Sequence, residues 1–291
     1  MIDAIVKTAR PHHWVKNLIV FAALIFAKKF TDPESVALAI KGFLAFCLAS
    51  SAIYYLNDIT DCKKDQLHPT KKNRPIASGR LSFKTAWFLT ALLLIAGFVL
   101  SYSLGPLFLF YFILYIFINF GYNLGLKNVV IIDVMILAIG FVLRAAAGAE
   151  AIMVPISSWL LVCAILLALF LGLAKRRHEL IILGNDAISH RQSLAHYSPY
   201  FLDQMMSVVT ASTVVAYTFY TLSPEVKDKL GTGNMVFTVP FVLYGIFRYL
   251  YLIHQKDEGG SPTKLLVTDI PLLACVGLWI ISVFIILQLP E

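Results

Sequence analysis

Charged residues are scarce in this sequence. Asp, Glu, Lys and Arg together make up 14% of its 291 residues, hydrophobic residues make up 59%, and the mean hydropathy is +0.77. A soluble core cannot hide so much apolar surface, so a soluble globular protein is excluded. The composition predicts an all-α, polytopic integral membrane protein.

Cysteine is also sparse, which excludes a disulfide-rich scaffold. The four cysteines are scattered, with neither zinc spacing nor the density of a disulfide framework, so we interpret them as packing residues. The first sixteen residues contain no long apolar core, and no cleavable signal peptide is expected. Repeats, low-complexity segments and stretches long enough for a soluble domain are absent, so residues 1–291 are predicted to form one transmembrane domain.

What the sequence does contain is long apolar runs. A helix that spans a bilayer needs roughly 17–25 apolar residues, and nine segments meet or approach that length. They are residues 17–31, 36–56, 83–103, 106–124, 129–149, 157–174, 204–222, 235–253 and 269–288. We therefore predict a bundle of about nine transmembrane helices, the first of them short enough to be tilted or partly interfacial.

Basic residues are distributed unevenly about these spans. Of the 24 Lys and Arg residues, eighteen are assigned to the side of the N-terminus, with Arg248 near the end of its span counted among them, five to the opposite side, and Arg144 lies within a span. The positive-inside rule then predicts a multi-pass protein of the inner or plasma membrane with a cytoplasmic N-terminus. Three polar loops, near 57–82, 175–203 and 254–268, lie on the same side. The membrane is an expected partner, nucleic acid is not, and homo-oligomerisation is left open.

Three carboxylates follow the second span closely. Asp58, Asp61 and Asp65 are spaced by three and then four residues, so on a helix they share one face. Their mutual repulsion would be offset by a hard cation such as Mg²⁺, which takes oxygen ligands and often shares its shell with substrate phosphates. Basic residues that suit phosphates come directly afterwards, namely Lys63, Lys64, His68, Lys71, Lys72, Arg74 and Arg80. The alternative interpretation is a solvated helix end of mixed charge.

Other polar residues lie at or within the spans. Lys16 and Asn17 stand at the mouth of the first span, where a lysine can face inward or extend to the interface. Asp133 and Arg144 lie inside the fifth span, and intramembrane ionisable residues are functional candidates by default. These two are eleven residues apart, too far to pair along one helix, so each needs another partner. For Arg144 the alternative is a structural bond to backbone carbonyls.

The second polar loop is basic, whereas the first is acidic and basic together. It begins with Lys175, Arg176 and Arg177 and continues through Asp186 and Arg191, while the third loop contains a Gly-Gly pair and ends at Asp269. Lys127, after the fourth span, is by position alone an ordinary anchor at the interface. An acidic helix face surrounded by basic clusters suits a water-soluble diphosphate whose leaving pyrophosphate is stabilised by a metal. The acceptor would be a lipid that enters between the helices.

Two further observations bear on the class of function. No residue resembles a covalent nucleophile with a paired base, so direct displacement at an activated carbon is the economical mechanism. A transporter for an anionic solute is the alternative from another class, with Arg144 and Arg248 lining its pathway. Against a transporter, most charges lie on one membrane face and only Asp133, Arg144 and Arg248 fall within spans.

Residues 57–65, with the pattern N-D-x-x-D-x-x-x-D, resemble the first Asp-rich motif of the UbiA superfamily of intramembrane prenyltransferases. The turn 122–127 is similar to another landmark of that superfamily. Most members carry a second Asp-rich motif after the sixth helix, but residues 175–179 read K-R-R-H-E here. That departure, with segments 10–17, 68–79 and 261–269, resembles the phosphoribosyltransferase branch of the superfamily, which acts on a decaprenyl-like polyprenyl phosphate.

The resemblance implies Mg²⁺-dependent transfer of 5-phosphoribose from phosphoribosyl pyrophosphate to a polyprenyl phosphate, with release of pyrophosphate, in cell wall biosynthesis. It implies metal binding by Asp58, Asp61 and Asp65, and catalytic roles for Asp58, Asp61 and Asn57. The implied substrate-binding residues are Lys16, Asn17, Lys71, Arg74, Tyr122, Lys127, Arg144, Lys175, Arg176, Arg177 and Arg191. Which basic cluster holds which phosphate is left open. The alternative enzyme is an aromatic or quinone prenyltransferase that uses the first motif alone.

Overall fold

The computed structural model describes residues 1–68, 71–183, 192–256, 258–260 and 262–288, and these residues form helices and connecting turns without a β-strand. The α-helices, numbered α1 to α13 in chain order, are Ile2–Ala9, Ala22–Phe26, Pro33–Thr60, Cys62–Gln66, Phe83–Tyr102, Pro106–Leu124, Ile132–Ala151, Ser158–Leu183, Pro199–Leu222, Pro224–Leu230, Val239–Gln255, Pro262–Thr268 and Ile270–Gln288. Five 3₁₀ segments join them, at Pro11–Phe21, Lys71–Asn73, Leu126–Asn128, Gln192–His196 and Asn234–Thr238.

Within the described residues, eight helical segments are long and apolar enough to cross a membrane, which confirms an all-α membrane fold. The first predicted span, 17–31, differs from the others because its residues divide between the eleven-residue 3₁₀ segment Pro11–Phe21 and the five-residue α2. A 3₁₀ helix rises by about 2.0 Å per residue, against about 1.5 Å in an α-helix. The sixteen residues 11–26 therefore extend to roughly 30 Å, about the thickness of a hydrocarbon core, so the count of about nine helices is roughly consistent.

The chain divides into two compact units, and the first comprises Met1–Ile25, Lys29–Gly125 and Leu143–Pro155. Its central helix is α3, which packs against α5, α6 and the 3₁₀ segment Pro11–Phe21. Phe46 of α3 makes edge-to-face contacts with Phe108, Phe112 and Tyr115 of α6, and all four rings are buried. Aromatic contacts of this kind add stability beyond the area that they bury.

The second unit comprises Phe26–Lys28, Leu126–Val142 and Ile156–Glu291. It is built on the packing of α8 against α9 and of α11 against α13. Its buried core includes Phe170, Leu173, Leu202 and Met206, with the ring of Tyr249 against that of Phe170. This core lies toward the C-terminal ends of α8 and α11.

The structure corrects the predicted loops, because helix continues through much of them. α8 runs to Leu183, so residues 175–179 belong to a helix and not to a loop. The long side chains of this stretch favour helix, and Lys175 lies 3.9 Å from Glu179 one turn further along. Likewise α3 extends through Asn57 to Thr60, α4 follows within the first loop, and α12 occupies part of the third.

The backbone of α7 packs closely against that of the 3₁₀ segment Pro11–Phe21. A Cβ atom on Gly148 of α7 would lie 2.1 Å from the carbonyl oxygen of Val20. Gly148→Ala should therefore displace the 3₁₀ segment and lower the free energy of unfolding by about 1–3 kcal/mol, the usual cost of overpacking. Gly277→Ala is the matched control, because nothing lies within 4 Å of its Cβ position. Thermal unfolding in detergent should show a lower Tm for Gly148→Ala alone; equal Tm values would contradict the close contact.

Candidate functional site

The predicted acidic motif lies at the junction of α3 and α4. α3 ends at Thr60, and Asp61 occupies the cap with φ −90° and ψ 1° before α4 begins. Backbone bonds nevertheless bridge the junction, from the N–H of Asp61 to Asn57 and from the N–H of Asp65 to Asp61, both at 2.9 Å. Asp58 and Asp65 are buried, whereas Asp61 is half-buried.

Two arginines hold the buried carboxylates of this motif. Arg74 Nη1 donates to Asp65 Oδ2 at 2.7 Å and to Asp58 Oδ1 at 3.1 Å, so one guanidinium bridges both acids. Arg10 Nη2 donates to the same Asp58 oxygen at 2.6 Å, and its guanidinium carbon lies 4.8 Å from the ring centre of Tyr54. Arg10 reaches this position from a left-handed backbone conformation, φ 52°, between α1 and the 3₁₀ segment. The two guanidinium groups therefore compensate the charges of the two buried carboxylates, Asp58 and Asp65.

A hard cation at this motif would have to be held by the Asp carboxylates. No group of three His, Cys, Asp or Glu residues in the described ranges is close enough to hold a metal ion as the side chains stand. However, Asp58 Oδ2 is buried and has no hydrogen-bond partner in the part of the chain that the structure describes. An orphaned carboxylate oxygen, close to a second buried carboxylate on Arg74, is the oxygen chemistry that Mg²⁺ prefers. The residues present therefore fit the cation.

A second polar group of the first unit is buried among α3, α6 and the end of α7. Asn17 bonds to Ser50, the hydroxyl of Ser50 lies 3.2 Å from that of Tyr115, and Arg144 Nη2 donates to the Tyr115 hydroxyl at 3.1 Å. The guanidinium of Arg144 also lies over the Tyr115 ring, 4.8 Å from its centre. The structure thus brings the predicted residues Asn17 and Arg144 into one chain of hydrogen bonds, in which Nη2 of Arg144 has a polar acceptor at membrane depth.

In the second unit, the basic run of α8 is paired with acids. Arg176 is buried to 1% exposure, its Nε lies 2.9 Å from Asp133 Oδ2, and its Nη1 donates to Glu179. Arg177 Nε donates to Asp203 Oδ1 at 2.6 Å. Asp133 thus finds its partner in Arg176, as expected for an intramembrane carboxylate, and the guanidinium of Arg176 already faces two carboxylates.

The turn before α7, which carries Lys127, is held by the same carboxylate. Tyr197 donates its hydroxyl proton to Asp133 Oδ1 at 2.9 Å and accepts the N–H of Ile131 at 2.7 Å. The Ser193 hydroxyl lies 3.3 Å from both Asp133 Oδ2 and the carbonyl oxygen of Lys127. Burial raises the pKa of Tyr197 to about 12, so its phenol remains a proton donor at neutral pH.

The third polar segment is tied down in the same manner. Arg248 forms a two-pronged pair with Asp269, at 2.7 and 3.1 Å, and hydrogen bonding to Arg248 lowers the pKa of Asp269. The backbone N–H of Gly259 donates to His178 Nδ1 at 3.3 Å. A Cβ on Gly260 would lie 2.3 Å from the His178 ring, so the Gly-Gly pair permits the close approach.

The remaining predicted residues are only partly described. Lys16, Lys71, Tyr122 and Lys127 are half-buried, whereas Arg191 and Asp186 lie outside the described residues. Arg10 and Asn123 were not among the predicted site residues. The buried side-chain nitrogen of Asn123 has no hydrogen-bond partner among the described residues. Its place in the segment between Tyr122 and Lys127 was the available signal.

Comparison with known proteins agrees with this geometry. The family described as UbiA prenyltransferase family matches residues 17–268. Decaprenyl-phosphate phosphoribosyltransferase of Mycolicibacterium smegmatis is 31% identical over 280 residues, covering 92% of this chain and 87% of that protein. The Corynebacterium glutamicum protein of the same name is 31% identical over 290 residues, covering 97% and 86%.

The fold also matches solved structures. A UbiA homologue from Archaeoglobus fulgidus, solved bound to GPP and Mg²⁺, superposes with a TM-score of 0.75 at 19% identity, covering 98% of this chain and 100% of that one. At that identity the likeness shows the fold. With the family match over most of the chain, the conclusion is that this protein belongs to the UbiA prenyltransferase family and is a multi-pass membrane transferase.

Proposed function

We propose that this chain transfers 5-phosphoribose from phosphoribosyl pyrophosphate to a polyprenyl phosphate of the decaprenyl type, releasing pyrophosphate in a Mg²⁺-dependent reaction. The observation that carries the proposal is the pair of buried carboxylates, Asp58 and Asp65, bridged by Arg74 and capped by Arg10. Such a mixed site contains ligands for a cation and donors for phosphate within hydrogen-bond distance of one another.

The choice of donor follows from charge. A prenyl diphosphate carries one charged group, whereas phosphoribosyl pyrophosphate carries a 5-phosphate as well, and the acceptor lipid brings a third. Residues 175–177 are basic where most members of the superfamily have a second acidic motif, and basic residues hold such a load better than carboxylates do. The names of the relatives that are 31% identical support the same donor and acceptor.

The reaction needs little covalent help from the protein. An oxygen of the lipid phosphate attacks the anomeric carbon of the ribose, the bond from that carbon to the pyrophosphate oxygen breaks, and the electron pair leaves with pyrophosphate. No general base is required, because the lipid phosphate is already ionised at neutral pH. The chain has to hold the 5-phosphate, the pyrophosphate and the lipid phosphate, and to orient the ribose.

The proposed roles follow from residue chemistry. Asp58, Asp61 and Asp65 would hold Mg²⁺, whose bound charge stabilises the leaving pyrophosphate. Asn57 would orient the donor, and Tyr122 and Asn17 would add neutral polar contacts. Phosphate would be held by Lys16, Lys71, Arg74, Lys127, Arg144, Lys175, Arg177 and Arg191. Arg176, which the resemblance also implies as a phosphate ligand, would instead pair with Asp133 and Glu179, which its guanidinium faces. We further propose that the N-terminus and these sites face the cytoplasm, which the distribution of basic residues supports. Membership of a transferase family removes the transporter alternative.

The donor is tested directly. Purified protein incubated with ribose-labelled phosphoribosyl pyrophosphate, decaprenyl phosphate and Mg²⁺ should give labelled lipid and an equal amount of pyrophosphate, and chelation of the metal should stop both. The control reaction replaces the donor with geranyl diphosphate and the acceptor with an aromatic acid. Turnover in that control, without turnover of phosphoribosyl pyrophosphate, would favour the aromatic prenyltransferase.

Asp61 gives the cleaner test of the metal site. Asp58→Asn also removes the partner of two arginines, so a loss of activity there would mix chemistry with stability. Asp61 is half-buried, and Asp61→Asn should keep the fold. Metal-assisted charge stabilisation is worth several kcal/mol, so transfer should fall by more than roughly a hundredfold. Exposed Asp228→Asn is the control. Normal transfer by a folded Asp61→Asn protein would remove Asp61 from the metal site.

Arg74 permits a test without substrate. Arg74→Gln leaves Asp65 buried without this charged partner, so in chelator the free energy of unfolding should fall by about 1–3 kcal/mol. Mg²⁺ should then raise the Tm of Arg74→Gln more than that of the wild type, because the cation offsets charge that Arg74 no longer neutralises. Lys72→Gln, exposed in the same segment, should behave like the wild type. Equal Mg²⁺ shifts in all three proteins would argue against cation binding beside Arg74.

A further inference from the structure

The turn that carries Lys127 has an unfavourable backbone conformation. Ile131, four residues after Lys127, has φ 69°. A β-branched residue at positive φ is an outlier, because its side chain crowds the backbone there. Such conformations persist where neighbouring groups hold them, and they concentrate at functional sites. Contacts from other groups are therefore needed to hold this turn.

Side chains from outside the turn bind its backbone at two points. The Tyr197 hydroxyl accepts the Ile131 N–H at 2.7 Å, directly at the strained residue. The Ser193 hydroxyl lies 3.3 Å from the carbonyl oxygen of Lys127. Both hydroxyls also lie within hydrogen-bond distance of the buried carboxylate of Asp133, at 2.9 and 3.3 Å. One carboxylate therefore orients both hydroxyls against the turn.

Arg176 is the counter-ion of that carboxylate. Its Nε lies 2.9 Å from Asp133 Oδ2, the other side of its guanidinium contacts Glu179, and the side chain is 2% exposed. Both sides of this guanidinium already face carboxylates and almost none of it is exposed, which does not favour contact with an incoming phosphate. Without a cation, however, the buried carboxylate of Asp133 would have no compensating charge. The position of Arg176 thus suits support of Asp133 better than direct contact with substrate.

We propose that Asp133, Arg176 and Tyr197 are positioning residues that hold the turn 126–131 in its strained conformation and so fix Lys127 for phosphate binding. This rests on the proposed phosphate-binding role of Lys127. Tyr197 supplies the contact to the turn, Asp133 orients Tyr197, and Arg176 pairs with Asp133 and holds it in place. The three act on the substrate through Lys127 without touching it.

The first test measures the turn itself, without substrate. Hydrogen exchange of the peptide that contains residues 126–133 should be faster in Tyr197→Phe than in the wild type, because the Ile131 amide loses its acceptor. Tyr200→Phe is the matched control, since its exposed hydroxyl bonds only to Gln204 in the described residues. Unchanged exchange in Tyr197→Phe would overturn the proposal, whatever the substrate of the enzyme proves to be.

The second test asks whether the cluster acts through Lys127. With phosphoribosyl pyrophosphate as donor, Tyr197→Phe and Arg176→Ala should lower kcat/KM by roughly ten- to a hundredfold, mainly through a higher KM, as expected for a misplaced binding group. Arg176→Lys should recover part of the loss, because it restores the counter-ion. In a Lys127→Ala background, Tyr197→Phe should cost less than about twofold, since residues that act as a unit are not additive.

The outcomes separate the two proposals. An equal loss from Tyr197→Phe with and without Lys127 would overturn the positioning role while leaving phosphoribosyl transfer intact. Wild-type kinetics of Lys127→Ala alone would overturn the role of Lys127 and with it the positioning of that residue. If phosphoribosyl pyrophosphate is not a donor at all, the proposed function fails, and the exchange measurement still decides whether the cluster holds the turn.

Discussion

Compensation of buried charge is the constraint on which the rest of this structure depends. Among the described residues three carboxylates are buried, and each lies within hydrogen-bond distance of an arginine: Asp58 of Arg10, Asp65 of Arg74, and Asp133 of Arg176. An unpaired charge at such a position costs several kcal/mol, so removal of one partner exposes that cost. Two of the pairs, Arg10 with Asp58 and Arg176 with Asp133, also join segments far apart in sequence and thereby connect helix packing to the polar chemistry.

This constraint shapes how a charged substrate could bind. A site for a metal and several phosphates must carry acids and bases, and in a protein without ligands those groups must neutralise one another. Around Asp58 they do so through Arg10 and Arg74, and Oδ2 of Asp58 has no hydrogen-bond partner within the described ranges. On the proposed function, binding of Mg²⁺ and pyrophosphate exchanges one set of ion pairs for another. The net free energy of binding is then the difference between two well-compensated states.

The two units use similar pairs for different ends. In the first unit, the carboxylates are the groups proposed to bind the cation. The arginines compensate their buried charge when no cation is bound. In the second unit, the carboxylate of Asp133 is fully enclosed, and its hydroxyl partners Tyr197 and Ser193 point to the backbone of the Lys127 turn. Sequence alone gives no means of telling these cases apart, because it shows the arginine partner of neither Asp58 nor Asp133.

The sequence by itself determined the all-α membrane class, most of the span positions and the acidic motif at 57–65, because apolar length and charge spacing are local properties. It also identified Asp133 and Arg144 as residues in need of partners. Only the tertiary structure decided which partners they have: Arg176 lies 43 residues from Asp133, and Tyr115 lies 29 residues from Arg144. The same holds for Asp58, whose partner Arg10 lies 48 residues away. The helical extension of α8 and the 3₁₀ form of the first span were likewise undetermined, since hydrophobicity marks where helices are apolar and not where their backbone bonds end or tighten. Pairing across a fold depends on how helices pack, and that information is not contained in the spacing of residues along one helix.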